Sequence, residues 1–286
     1  MSTRSASSSL VGRYPAASYF VLTFLISWSG AFLVAAPRLL GHKTLPQLTG
    51  VLMFPAMLLG PCFSSLALTA LIDRKPGLSD LFSRLTCWRF PVLWYAVLAL
   101  PPLLVFLVLS TLRAFLSPAF TSNPFWLGVL FGIPAGLLEE IGWMGFAFPK
   151  LVRRLEAFPA AIWLGLLWSL WHLPVMNFLG AAAPHGNYGF PFFLAFAAAM
   201  TAMRVLISWA YTNTRSLLLA QLLHISSTSS LVVFSPAVSA PREVLWYSLY
   251  ASALWLGVLL LRSRYGTQLS RHRAVSDTPA SGMSPK

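Results

Sequence analysis

FWLGVLFGIPAGLLEEIGWMGFAFP, residues 125–149, is an apolar run of 25 residues whose only charges are the adjacent Glu139 and Glu140. About 20 such residues suffice for a helix to cross the hydrocarbon core of a bilayer. A carboxylate at mid-bilayer depth costs roughly 2.5–3.5 kcal/mol on insertion scales. Two side by side therefore mark a place where chemistry is done inside a membrane.

The rest of the chain agrees with a membrane setting. It has 286 residues, of which 57% are hydrophobic and 9% charged; soluble domains carry about 25% charged residues. Mean hydropathy is +0.71. The fold class expected is all-α and polytopic, with about eight spans near 17–36, 46–72, 91–112, 125–149, 158–180, 190–212, 215–236 and 243–261. No internal repeat is evident. Residues 1–16 read as a cytoplasmic N-terminal segment, 17–262 as the transmembrane domain and 263–286 as a disordered cytoplasmic tail rich in Arg and Ser. The first apolar segment is full length and has no small-residue cleavage site, so it reads as a retained helix. Cys62 and Cys87 form no CxxC and read as free thiols.

The net charge of +13 does not describe a nucleic-acid surface, because the basic residues lie between apolar segments, where they meet anionic lipid headgroups. Fifteen of them, from Arg4 to Lys286, fall on the N-terminal side of the bundle, against four on the other side: Arg38, Lys43, Arg113 and Arg242. The positive-inside rule then places both termini in the cytoplasm. Residues 77–90, GLSDLFSRLTCWRF, alternate Leu81, Phe82, Leu85 and Trp88 with Asp80, Arg84 and Arg89, and fit either an amphipathic surface helix or a basic loop.

Three further ionisable residues sit at membrane depth: His172, Arg204 and His224. Counted at 1.5 Å per residue from the basic side, Glu139 lies roughly 16 Å deep, His172 roughly 21 Å, His224 roughly 14 Å and Arg204 roughly 16 Å. Four helices thus place polar groups in one layer. Gly132, Ala135, Gly136 and Gly142 share a face with Glu139, and two readings stay open for them: room for water and substrate, or close helix packing. Gln221, Ser227 and Thr228 form a polar stripe with His224.

At these residues the chain resembles the CAAX prenyl endopeptidase and bacteriocin-processing family of intramembrane proteases (CPBP, or Abi). The family pattern is Glu-Glu-x-x-x-Arg, then an aromatic-x-x-x-His, then His-x-x-x-Asn or a small polar residue, each on its own helix. Here the matching residues are Glu139-Glu140, Trp168 with His172, and His224 with Thr228, over about residues 125–232. The resemblance implies an endopeptidase in which Glu139 acts as general base on a water, His172 holds that water, and His224 and Thr228 donate to the oxyanion. A carboxylate withdrawn from water suits the first role, and fixed N–H and O–H donors suit the last. Two departures stand out: Met144 occupies the arginine position and Thr228 the asparagine position. With no arginine one turn from Glu140, Arg204 on the sixth span is expected to pair with it.

Glu139, His172 and His224 could also supply three zinc ligands, but no HExxH is present, and using Glu139 as a ligand leaves only Glu140 as base. A metal-free site is the expectation. The substrate implied is a prenylated, bacteriocin-like or membrane-protein peptide. Two other readings are a catalytically disabled scaffold or regulator, favoured by Met144 and Thr228, and a proton-coupled transporter built on the intramembrane Glu and His. A bacterial plasma membrane is the expected location.

Overall fold

The computed structural model describes residues 10–270. Among them all regular structure is helical. A turn at Leu10–Arg13 leads into α1, Pro15–Leu39, which opens on a proline whose missing N–H costs nothing there. Helix α2, Gln47–Leu68, continues through a π-helical turn, Thr69–Asp73, into α3, Arg74–Leu85. Short turns from Leu93 lead into α4, Leu100–Phe115. Helix α5, Val129–Gly142, runs on through a π-helical segment, Trp143–Ala147, to Phe148–Leu151. Then come α6, Ala157–Trp171; α7, Gly189–Thr214; α8, Leu217–Val233; and α9, Ala240–Tyr265.

All eight expected spans are helical, and six of them are long and apolar enough to cross a membrane. The other two correct the expectation. Helix α6 has 15 residues rather than the 23 of the predicted 158–180 segment, and α8 has 17. Pro174 explains the first, because a proline disfavours helical backbone in the residue before it. The chain turns instead through a 3₁₀ run, Leu173–Phe178. His172 is therefore the C-terminal cap of a helix about 22 Å long. His172 is half-buried there, with its ring against Trp168, Trp171 and Phe196.

Exposed Leu33, Leu103 and Leu260 place the outer faces of α1, α4 and α9 toward lipid. Helix α5 packs between α2 and α8, and α7 packs between α6 and α9. The small residues of α5 are explained by packing. A Cβ at Gly132 would collide with Ser229, one at Gly136 with Ile225 and one at Gly142 with Tyr19. Their missing side chains bring α5 against α8, α1 and α2 and leave no room for substrate.

The two-residue turn between α7 and α8 sets the depth of two polar groups. Arg215 closes α7 in the left-handed conformation (φ 58°), and the Ser216 hydroxyl accepts the Leu219 N–H at 3.0 Å to cap α8. Arg204 and His224 lie at similar distances from this turn on antiparallel helices, so they arrive at one level. Residues 77–85 of the expected amphipathic segment lie in helix α3, whereas 86–90 leave the helix, and the segment docks on protein as well as facing outward. Leu81 is buried, while Arg84 donates to Tyr211 Oη at 2.7 Å and to Gly145 O at 3.0 Å, and Phe82 and Trp88 are exposed.

Residues 263–270, the described part of the expected tail, are ordered structure. Helix α9 extends to Tyr265, Leu269 is buried, and its carbonyl accepts from Asn213 Nδ2 at 2.7 Å. The rest of the expected tail, 271–286, lies outside the described residues, as do residues 1–9.

Beyond His172, the loop between α6 and α7 is clamped by Glu243 in the first turn of α9. This fully buried carboxylate accepts the N–H groups of Ala181 (2.7 Å) and Ala182 (2.8 Å) and lies 3.3 Å from His185 Nε2. Gly180 makes the approach possible, with φ +94° and no Cβ to strike the carboxylate. Gly180→Ala is expected to lower stability by about 1–3 kcal/mol, read as a fall in melting temperature of the protein in detergent. An unchanged melting temperature would show that the loop tolerates release of the clamp.

Candidate active site

Successive residues on a helix point about 100° apart, so Glu139 and Glu140 face different partners. Glu139 Oε2 accepts from the indole N–H of Trp168 at 2.7 Å and from that of Trp143 at 3.2 Å. Trp168 comes from α6, and Trp143 is the first residue of the π-helical segment that follows α5. Two donors on one oxygen orient the carboxylate and leave Oε1 without a donor among the described residues.

Glu140 is the more heavily held group. Arg204 Nη1 lies 2.8 Å from each of its oxygens, and His224 Nδ1 lies 2.7 Å from Oε1. Glu139, Glu140, Arg204 and His224 are all at most 1% exposed. Two neighbouring carboxylates buried without a cation would carry a large desolvation cost, and Arg204 supplies the permanent positive charge that offsets it. Its guanidinium carbon also sits 4.2 Å from the centroid of the Trp168 ring, a cation–π contact with the same indole that binds Glu139. Arg204 Nε and Nη2 have no hydrogen-bond partner among the described residues.

Met144 is fully buried, and its sulfur accepts from Ser208 Oγ at 3.8 Å. Ser208 lies one turn beyond Arg204 on α7. Where the resembling pattern has an arginine on α5, this chain has a thioether on α5 and an arginine on the facing helix. The cation reaches Glu140 from a different backbone.

His172 Nδ1 lies 2.8 Å from Trp168 O. A carbonyl only accepts, so Nδ1 carries the proton and Nε2 keeps its lone pair. The His172 and His224 rings both meet Trp168 edge to face, at centroid distances of 5.5 and 5.0 Å. Trp168 is thus the post around which Glu139, His172, His224 and Arg204 are grouped. Thr228 follows His224 by one turn on α8 and is half-buried. No hydrogen bond ties its hydroxyl to the other site residues among the described residues.

Sequence reasoning placed Glu139, Glu140, His172, Arg204 and His224 in one layer, and the structure brings all five together. It gave Trp143 and Trp168 no role, although both are direct donors to Glu139. The i,i+4 spacings of Glu139 to Trp143 and of Trp168 to His172 were the available signal. Among the described residues no group of three His, Cys, Asp or Glu side chains is placed to hold a metal ion.

Fold and site together define a polytopic helical membrane protein with a buried glutamate–histidine centre. Residues 121–230 match the family described as type II CAAX prenyl endopeptidase Rce1-like. The chain is also 29% identical over 225 residues to CAAX prenyl protease 2 of Methanococcus maripaludis, an alignment that covers 72% of this chain and 79% of that protein. The resemblance drawn from the motifs is borne out to that extent: residues 121–230, which carry them, are similar to this endopeptidase family.

The Glu140–Arg204 pair is testable by a double-mutant cycle. Glu140→Gln or Arg204→Met alone is expected to cost about 3–5 kcal/mol, because each strands a buried charge. The double variant should lose clearly less than the sum, with a coupling of at least about 1 kcal/mol. Additive losses in unfolding experiments would contradict a direct pair.

Proposed function

We propose that this protein is an intramembrane endopeptidase of the CAAX prenyl protease type, with Glu139 as its general base. The observation that carries the reading is the Glu139 carboxylate, fixed by two indole donors on one oxygen while the other is left for water, within a cluster that also presents both motif histidines. The family match and the named relative support the same reaction class.

In this reading, Glu139 Oε1 takes a proton from a water whose other contact is the lone pair of His172 Nε2. The water oxygen attacks the scissile carbonyl, and its proton passes by way of Glu139 to the departing amine. Negative charge on the tetrahedral intermediate meets His224 Nε2–H and the Thr228 hydroxyl. Because His224 Nδ1 already donates to Glu140, a donor at Nε2 requires the imidazolium form. In that form the charges of Glu139, Glu140, Arg204 and His224 sum to zero, the arrangement a low-dielectric site favours. No metal takes part in this scheme. Glu140 and Arg204 touch neither water nor substrate; they hold His224 and compensate the second carboxylate.

The substrate class that fits is a prenylated or otherwise membrane-associated peptide, delivered at the level of the bilayer. The excess of basic residues on the side of Lys150 and Arg215 supports a cytoplasmic face there. A bacterial plasma membrane is the location proposed.

Cleavage of a quenched fluorescent prenylated CAAX peptide by purified protein tests the reading. Wild type is expected to cleave and Glu139→Ala to lose at least about a hundredfold in rate, the lower end of what a general base contributes. Chelator treatment should leave the wild-type rate unchanged. Equal cleavage by wild type and Glu139→Ala would remove Glu139 from the mechanism, and a chelator loss restored by zinc would require a metal in it.

A further inference from the structure

A groove of about 490 Å³ runs between α4, α7, α8 and α9, on a side of the bundle that the proposed chemistry does not use. Its walls are apolar, with Leu103 and Leu107 on α4, Met203 on α7, Leu223 on α8 and Gly257 on α9. Leu103 and Leu107 are well exposed, so the rim faces outward to lipid. One charged residue lines it, Arg264, in the last turn of α9. Arg264 is exposed, and no acidic side chain pairs with it among the described residues.

Length, charge and depth select the occupant. The lining residues of α9 run from Ala253 to Arg264, 11 residues or roughly 16 Å along the helix. That is close to half of the ~30 Å hydrocarbon core, the thickness of one leaflet. At the Arg264 end, Trp209 lines the groove and packs against Trp94 (centroids 4.6 Å) and Tyr265 (5.8 Å). Amphipathic aromatics gather at headgroup level, so the unpaired guanidinium sits where a lipid phosphate would be.

A substrate's isoprenoid chain fits this place poorly. Met203 precedes Arg204 and Leu223 precedes His224, each about 100° around its helix. Leu206 and Trp209 of α7 also line it, about 160° and 140° around the helix from Arg204, so the groove lies on the far side of α7 and the flank of α8 as seen from Glu140. We infer that the groove holds one acyl chain of an anionic phospholipid from the leaflet on the basic side, with the phosphate on Arg264. The chain braces the two helices that present Arg204 and His224.

Gly257 offers a plug. A Cβ there meets nothing within 4 Å, so Gly257→Phe projects into the groove without striking a helix. Arg264→Gln changes only an exposed side chain. Lipid retention by the purified full chain would be read by native mass spectrometry with phosphatidylglycerol and phosphatidylcholine of identical chains, without recourse to activity. Wild type should prefer phosphatidylglycerol about fivefold, the equivalent of one basic residue at a membrane surface. Arg264→Gln should lose that preference but retain lipid, and Gly257→Phe should lose the retained lipid of both kinds. Equal retention of both lipids by wild type, or retention unchanged in Gly257→Phe, would overturn the proposal. So would displacement of the lipid by a prenylated peptide, which would give the groove to substrate.

Discussion

The buried carboxylate of Glu140, shared between Arg204 and His224, is the interaction on which the rest of the site depends. It joins α5, α7 and α8 at one level of the bundle through contacts of 2.7–2.8 Å. Remove the cation and two adjacent glutamates would stand in low dielectric with no permanent positive charge beside them. Glycines at 132 and 136 let α5 approach α8 closely enough for His224 to reach the carboxylate. The two-residue turn at Arg215 and Ser216 brings Arg204 and His224 to the same depth. Polar chemistry and apolar packing therefore fix the same geometry.

Trp168 carries that geometry to the second glutamate. Its indole N–H binds Glu139, its ring face receives Arg204, its ring edges meet both histidines, and its carbonyl fixes the His172 tautomer. One side chain and its peptide unit thus contact Glu139, Arg204 and both histidines. The break in α6 follows directly on Trp171, so His172 caps the helix one turn after Trp168.

Much of this was legible in the residues. Apolar runs marked where all eight helical segments lie, although two of the helices proved shorter than a span. Residue counting placed Glu139, Arg204 and His224 at one level, because helical rise is constant. The pairing of Arg204 with Glu140 followed from the absence of arginine at position 144, since a buried carboxylate requires a counter-charge. The sequence could not decide what depends on contacts between helices. The glycines of α5 read equally well as cavity or packing until Ser229 and Ile225 were seen against them. The indole donors to Glu139 were hidden because tryptophan in an apolar helix reads first as bulk. The early end of α6 was signalled by Pro174 but masked by the apolar residues that continue beyond it, and the docking of Leu269 by the polar residues around it.

The central claim is that Arg204 does from α7 what an arginine at position 144 would do from α5. Returning the arginine to α5 tests it most directly: Arg204→Met alone against Arg204→Met combined with Met144→Arg, compared for melting temperature and for cleavage of a prenylated peptide. The account predicts that the single variant loses both and that the combined variant regains most of the melting temperature and a measurable part of the cleavage. A combined variant no better than the single one on either measure would contradict it, and would place the role of Arg204 in something other than compensating Glu140.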